Sequence, residues 1–229
     1  SSLHLKESLP DLSSAQSSAL SSIHEQWQQH AVCLLHGVTS SGKTEIYMHL
    51  IAEAIARGQQ VLYLLPEIVL TSQLTDRLQA VFGNRLGVYH SKFSDKIRAD
   101  VWQRQLTETP YDIIVGVRSS VFLPFQRLGL VIVDEEHEVN FKQQDPAPRY
   151  HARNVAIMMA AHAHAHVLLG TATPSLESYY NARTGKYGLV RLSERYGQVA
   201  LPEVEIVDTR ELRRKHLMSG VFSPPLLEH

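Results

Sequence analysis

The sequence is nearly without cysteine: Cys33 is the only one in 229 residues. A single thiol excludes an internal disulfide framework and a cysteine-rich zinc site. No zinc is therefore expected, and a reducing cytoplasm is the compartment that fits best. Long apolar runs are also missing. Nothing approaches the roughly 20 residues a membrane span requires, and no signal peptide opens the chain, so no membrane partner is expected. Charge of one sign is missing too, because 22 Lys and Arg face 23 Asp and Glu for a formal net charge of −1. A histone-like or tail-type nucleic-acid binder would be strongly basic. A DNA groove stays open to this composition, since a groove needs basic residues placed well rather than in excess. Tryptophan is scarce, and Trp27 and Trp102 fall in helical stretches where they read as packing residues. There is no internal repeat and no low-complexity segment beyond a short His/Ala alternation.

What is present is a hydrophobic content of 44% in a chain long enough for one α/β domain with a sizeable core. Ser13-Ser14-Ala15-Gln16 has the form of a capping box and predicts a helix start. Short apolar runs follow at Val32–Leu35, Val61–Leu65, Leu86–Tyr89, Ile113–Val117, Leu130–Val133 and Val167–Leu169. Each is continuous rather than alternating, as strands buried on both faces of a parallel sheet are. Helix candidates lie between them at about 44–57, 71–82, 95–106, 151–163 and 175–184. This alternation predicts an α/β fold with a mostly parallel, doubly wound sheet and helices on both faces. Ligands of such sheets bind beyond the carboxyl ends of the strands. The stretch from Tyr187 to Asp208 predicts one or two further strands, and Arg210 to Lys215 a charged, exposed segment before Pro224-Pro225. The expected organisation is a single lobe over 1–229, with a flexible lead-in over about 1–11 and an exposed C-terminal segment over about 209–229. Leu227-Glu228-His229 has the form of the start of a purification tag and is left aside.

Gly37-Val38-Thr39-Ser40-Ser41-Gly42-Lys43-Thr44 matches G-x-x-x-x-G-K-[ST] directly after a predicted strand and directly before a predicted helix. Glycines let such a loop wrap so that successive N–H groups point inward at phosphate oxygens, and the helix presents its positive end to the same anion. Lys43 would supply a full charge to the β- and γ-phosphates of ATP, and the Thr44 hydroxyl would ligate Mg2+. A chance match in a glycine loop is the alternative, and the correct flanks weigh against it.

The run Leu130 to Val133 ends in Asp134-Glu135-Glu136-His137. A carboxylate at the tip of a central strand sits beside the phosphate loop in this fold. Asp134 is expected to hold magnesium, mostly through water, and Glu135 to orient and polarise the attacking water. Glu136 and Glu138 are read as solvated loop carboxylates. His137 is either a satisfied structural histidine or a coupling residue, and its place in the box favours coupling.

With both boxes in order, the sequence resembles the superfamily 2 helicases, and within them the primosomal replication-restart helicases. The residues that carry this are Leu12 to Gln16, Gly37 to Glu45, Leu65-Pro66-Glu67-Ile68, Tyr89-His90-Ser91, Gly116 to Ser120, Asp134 to His137, Phe141 to Asp145, Arg149 to Arg153 and Gly170 to Ser175. The likeness spans nearly the whole chain, and Ser40 departs from it where the family has glycine.

The resemblance implies a RecA-like P-loop NTPase lobe. It implies nucleotide contacts from Gln16, Gly37, Thr39, Ser40, Ser41, Gly42, Lys43, Thr44 and Glu45, with Gln16 reading the adenine edge; its alternative is a helix-cap residue. Pro66, Glu67, Arg118 and Ser119 would face a nucleic-acid backbone, with a surface salt bridge as the alternative at Arg118. Thr171 and Thr173 would bond toward the acidic box and pass nucleotide state to the DNA side; a threonine helix cap is the alternative. Phe141, Lys142, Arg149 and Tyr150 would offer ring faces and cations to single-stranded DNA, although a loop holding Pro146 and Pro148 is more often a plain connection.

The implied function is an ATP-dependent DNA helicase with 3′-to-5′ polarity at stalled or forked DNA, working with replication-restart proteins. An RNA or duplex-DNA translocase is the alternative within motor enzymes, and a nucleotide-switched, non-catalytic scaffold the alternative of another class. In this superfamily a second lobe supplies the arginine that stabilises charge on the γ-phosphate. This chain is therefore expected to bind ATP with little or no hydrolysis. His162, His164 and His166 are not read as a metal site: on a helix their two-residue spacing points them apart, and no Cys or acidic partner is near.

Overall fold

The capping box at Ser13 forms as the sequence predicts. The Ser13 hydroxyl accepts from Gln16 N at 3.2 Å and Gln16 Oε1 accepts from Ser13 N at 2.8 Å, opening α1 (Ser14–Trp27). The computed structural model describes residues 5–38 and 42–192, together with Arg210 and Arg214. After α1 come β1 (Val32–Gly37), α2 (Lys43–Ala56), β2 (Gln60–Leu64), α3 (Ser72–Phe82) and β3 (Leu86–Tyr89). Next are α4 (Asp95–Gln105), β4 (Ile113–Gly116), β5 (Leu128–Asp134), β6 (Lys142–Gln143) and β7 (Tyr150–His151). The described elements close with α5 (Ala152–His162), β8 (His166–Thr171), α6 (Leu176–Arg183) and β9 (Gly188–Leu192).

Seven strands form one sheet in the order β3-β4-β2-β5-β8-β1-β9, and every pairing in it is parallel. The continuous apolar runs are explained by burial on both faces. Cys33 and Leu35 of β1, Val61 and Tyr63 of β2, and Leu130 and Ile132 of β5 face α1, α2 and α3. Their neighbours Val32 and Leu34, Leu62 and Leu64, Val131 and Val133 face α4, α5 and α6. Successive side chains of a strand point to opposite faces, so each run feeds both cores at once. β6 and β7 form a separate antiparallel ribbon, Lys142 opposite His151 and Gln143 opposite Tyr150.

Two expectations change, at the lead-in and at Trp102. Residues 5–11 of the lead-in are tied down rather than flexible, because Leu5 and Leu9 pack against the core, Lys6 N donates to Val81 O, and Pro10 O meets His49 Nε2. Trp27 packs, stacked on His166 at 4.8 Å with its Nε1 donating to Val167 O, but Trp102 lies on the outer side of α4, 41% exposed. One strand, β9, follows Tyr187, and the rest of the stretch to Asp208 lies outside the described residues. The chain divides into two compact units, 1–197 and 198–229. In the second only Arg210 and Arg214 are described, both exposed and in helical backbone, and the remainder of the expected C-terminal segment is outside the described residues.

His162 ends α5, His164 takes a left-handed turn conformation (φ 55°) and His166 begins β8. Among the described residues no group of three His, Cys, Asp or Glu is placed to hold a metal ion. No described helix is long and apolar enough to cross a membrane.

Candidate nucleotide and nucleic-acid site

The loop between β1 and α2 turns through Gly42 at φ 77°, a conformation that side-chain-bearing residues adopt at a cost. It delivers the chain into α2 with the helix's first N–H groups free of intrahelical partners, so they face whatever the loop encloses. Lys43 Nζ folds back onto the loop's own carbonyls, Gly37 O at 3.1 Å and Val38 O at 3.4 Å. A bound phosphate would offer the ammonium charged oxygens in place of these neutral carbonyls. Thr39, Ser40 and Ser41 lie outside the described residues. Gln16 is buried, and its amide is fully engaged: Oε1 caps α1, and Nε2 donates to Gly42 O at 2.9 Å. The helix-cap role expected as the alternative is therefore present, joined to a tie that steadies the phosphate loop. Glu45 corrects an expectation. Its side chain is buried rather than open to a ligand, Oε1 pairing with Arg77 of α3 while Oε2 has no hydrogen-bond partner among the described residues, so any nucleotide contact from this position would come from its backbone.

Asp134 closes β5 and is 8% exposed. Oδ1 accepts from Tyr47 Oη at 2.9 Å and from Glu135 N at 3.1 Å, and Oδ2 accepts from Tyr63 Oη at 3.4 Å. Burial and the neighbouring Glu135 charge push its pKa up to about 6, against the opposing pull of the Tyr47 hydrogen bond and Lys43. Glu135 itself sits in a left-handed backbone conformation (φ 48°), unusual for a non-glycine residue. His137 lies between the box and the end of β8. Its Nδ1 is 2.7 Å from Thr171 Oγ1 and 3.6 Å from Glu135 Oε2, and its Nε2 is 3.5 Å from Thr173 Oγ1. Thr171 Oγ1 also accepts from Thr173 N, and the cap of α6 is Ser175 rather than Thr173.

Glu136, expected as a solvated loop carboxylate, is 0% exposed. Its oxygens accept from Ser175 N at 2.7 Å, Ser175 Oγ at 2.9 Å, Ser178 Oγ at 2.8 Å and Arg153 Nη1 at 2.7 Å. Arg153, also buried, pairs with Glu177 through its other nitrogen. A buried carboxylate is tolerated when it is paired and hydrogen-bonded in this way. The network joins the acidic box to the starts of α5 and α6.

A cavity of about 370 Å³ opens beyond β2 and β4, lined by Pro66, Glu67, Ile68, Arg118, Asn140 and Phe141 among others. Pro66 is buried and Glu67 exposed, with Glu67 Oε1 accepting from Ser91 Oγ. Among the described residues Arg118 has no salt-bridge partner; it donates to Asn140 O at 3.3 Å. Ser119 Oγ is buried without a hydrogen-bond partner. Phe141 is a correction: at 1% exposure it is a core residue packed with Leu62, Leu64 and the alanines of α5, and it presents no open ring face. Lys142 and Arg149 are exposed at the two ends of the ribbon loop, and Tyr150 is half-buried with its ring edge-to-face on Phe122 at 4.9 Å.

Sequence reasoning missed Tyr47, Tyr63, Gly170, Arg153 and the burial of Glu136. Tyr47 had a signal, three positions after Thr44 and so on the same helical face. Arg153 and Gly170 fall in stretches that carry the family resemblance but had no role assigned to them, and Tyr63 and the burial of Glu136 had no signal along the chain.

A family model described as DEAD/DEAH box helicase matches residues 13–182. The replication restart protein PriA of Bacillus subtilis (strain 168) is 46% identical over 200 residues, which is 87% of this chain and 24% of that protein. The PriA of Chlamydia pneumoniae is 44% identical over 220 residues, 95% of this chain and 29% of that protein. The chain thus spans about a quarter to a third of the length of these relatives. Among solved structures, RecG bound to a three-way DNA junction matches with a TM-score of 0.60 at 19% identity, over 90% of this chain and 27% of that one. At that identity the likeness speaks for the fold alone, an α/β RecA-like domain.

Proposed function

This chain belongs to the DEAD/DEAH box helicase family, and we propose that it is the ATP-binding lobe of a replication-restart DNA helicase that moves 3′-to-5′ on single-stranded or forked DNA. The observation that carries the reading is a chain of contacts at the carboxyl ends of adjacent strands: Glu135 Oε2 lies 3.6 Å from His137 Nδ1, and that nitrogen is hydrogen-bonded to Thr171 Oγ1. That path gives the hydrolytic carboxylates a physical connection to the surface that would touch DNA. The similarity to PriA proteins over nearly the whole chain supports replication restart as the setting, in the cytoplasm and alongside other restart proteins.

The donor set fits Mg2+ bound with nucleotide. A hydroxyl (Thr44) and one carboxylate (Asp134) are hard oxygen ligands, and magnesium is commonly held by one or two carboxylates with substrate phosphates and water completing the shell. When bound, the ion would neutralise charge on the phosphates. Lys43, released from Gly37 O and Val38 O, would bind the same oxygens, and Glu135 would orient the attacking water. Gln16 would read adenine by exchanging one of its two present hydrogen bonds. Arg118, Ser119, Lys142, Arg149 and Tyr150 would meet the DNA strand, with Pro66 and Glu67 shaping its path. The γ-phosphate arginine would come from a second lobe of a longer protein, so this lobe by itself would bind ATP and hydrolyse it slowly or not at all.

The test is ATPase activity of the full-length parent, with and without single-stranded DNA, beside Lys43→Ala and Glu135→Gln. Strong stimulation by DNA, lost in both variants, is expected. Stimulation by RNA or duplex alone would move the substrate, and normal activity in Glu135→Gln would favour a nucleotide-switched scaffold.

A further inference from the structure

The two hydroxyls on Asp134 come from two separate elements. Tyr47 stands on α2, three residues past Thr44, and Tyr63 on β2; both are wholly buried and their rings meet edge-to-face at 5.6 Å. Each phenol addresses a different carboxylate oxygen, Tyr47 to Oδ1 and Tyr63 to Oδ2. Space for this arrangement is provided on β8. A β-carbon on Gly170 would lie 1.8 Å from Tyr47 Oη and 3.3 Å from Asp134 Oδ1. Gly170 is the partner of Asp134 in the sheet register, so any larger residue there would drive the phenol off the carboxylate.

Two buried tyrosines in an apolar core cost less if they are phenylalanines, unless their hydroxyls are needed. A carboxylate free to rotate about χ2 presents its oxygens in many directions, whereas a donor on each oxygen holds one plane.

We propose that Tyr47 and Tyr63 are positioning residues for magnesium: a pair of phenols that clamps the Asp134 carboxylate, one oxygen each, in the plane that receives the ion and its water. The inference rests on the reading of Asp134 as the magnesium carboxylate. The clamp acts on metal affinity and leaves the metal-independent part of nucleotide binding alone.

The experiment uses this chain with Tyr47→Phe, Tyr63→Phe, the double variant, Asp134→Asn, and Asp134→Asn combined with Tyr47→Phe. Mn2+ affinity in the presence of ADP is read by electron paramagnetic resonance, nucleotide affinity is measured in EDTA, and a thermal melt is run on each protein. The expected result is a loss of Mn2+ affinity of about tenfold in Tyr47→Phe, the low end for outer-shell partners, and a smaller loss in Tyr63→Phe. EDTA affinities should match wild type, and Tyr47→Phe should add nothing in the Asp134→Asn background. Wild-type Mn2+ affinity with a lowered melting temperature would overturn the clamp and leave the hydroxyls a purely structural role. Unchanged Mn2+ affinity in Asp134→Asn would instead overturn the magnesium reading and the clamp with it.

Discussion

His137 and Thr171 are held 2.7 Å apart, Nδ1 to Oγ1, across the ends of two adjacent strands. Thr171 is buried and His137 is part-exposed beside Glu135. His137 thus lies between Glu135 and Thr171, and Thr171 Oγ1 also accepts from Thr173 N, a placement that suits the coupling role proposed for these residues.

Thr171→Val keeps the shape and removes the acceptor. In the full-length parent it should lower DNA-stimulated ATPase by about 2- to 30-fold, the span of a 0.5–2 kcal/mol coupling. Basal ATPase without DNA should change much less. Equal loss with and without DNA would place the defect in hydrolysis and not in coupling.

Lys43→Ala removes the charge now resting on Gly37 O and Val38 O. Nucleotide affinity of this chain should fall about 10- to 150-fold, the value of one charge-assisted hydrogen bond of about 1.5–3 kcal/mol. Its melting temperature should stay close to wild type, because the replaced contacts are weak and half-exposed. Isothermal titration with ATP beside a melt reads both.

Glu136→Ala strips the partner from a buried Arg153 and orphans donors on Ser175 and Ser178. Removing one member of a buried pair costs about 3–5 kcal/mol, which chemical denaturation should report. Glu136→Gln keeps an acceptor for Ser175 N and should cost less. A near-neutral Glu136→Ala would mean that the network is hydrated in solution.

Asp134 titrates at about 6 when folded, above the ordinary 3.8 of an aspartate. A raised folded pKa means the native state binds more protons between those values, so its contribution to stability is full below about pH 4 and is lost as pH rises through 6. Without magnesium, Asp134→Asn should therefore be more stable than wild type at pH 7, by on the order of 3 kcal/mol, with the difference vanishing near pH 4. Denaturation of both proteins in EDTA across that range measures it. A difference independent of pH would show that Asp134 is not the titrating group.

The strands and helices were legible because their signals are local. Val32–Leu35 and Leu130–Val133 are continuous apolar runs, and the sheet buries both faces of each. The predicted helix bounds differ by one residue at the C-terminal end of α4 (95–106) and by one residue at each end of α5 (151–163). Phe141 and Glu136 were misread for a common reason: loop position and residue type say nothing about depth. An aromatic after an acidic box looks available and a carboxylate looks solvated, until α5 and α6 are laid across the sheet. Tyr63 lay hidden in a strand that reads as plain core.

By itself, the sequence determined the alternation of elements, the phosphate loop and the carboxylates at the tip of β5, since each is written in consecutive residues and obeys a short-range rule. Only the tertiary structure decided which groups meet there. Strand order sets β8 between β5 and β1, and that adjacency brings Thr171 to His137, Gly170 to Asp134, and two distant phenols onto one carboxylate. Contacts of that kind depend on packing across the sheet, and no spacing along the chain encodes them.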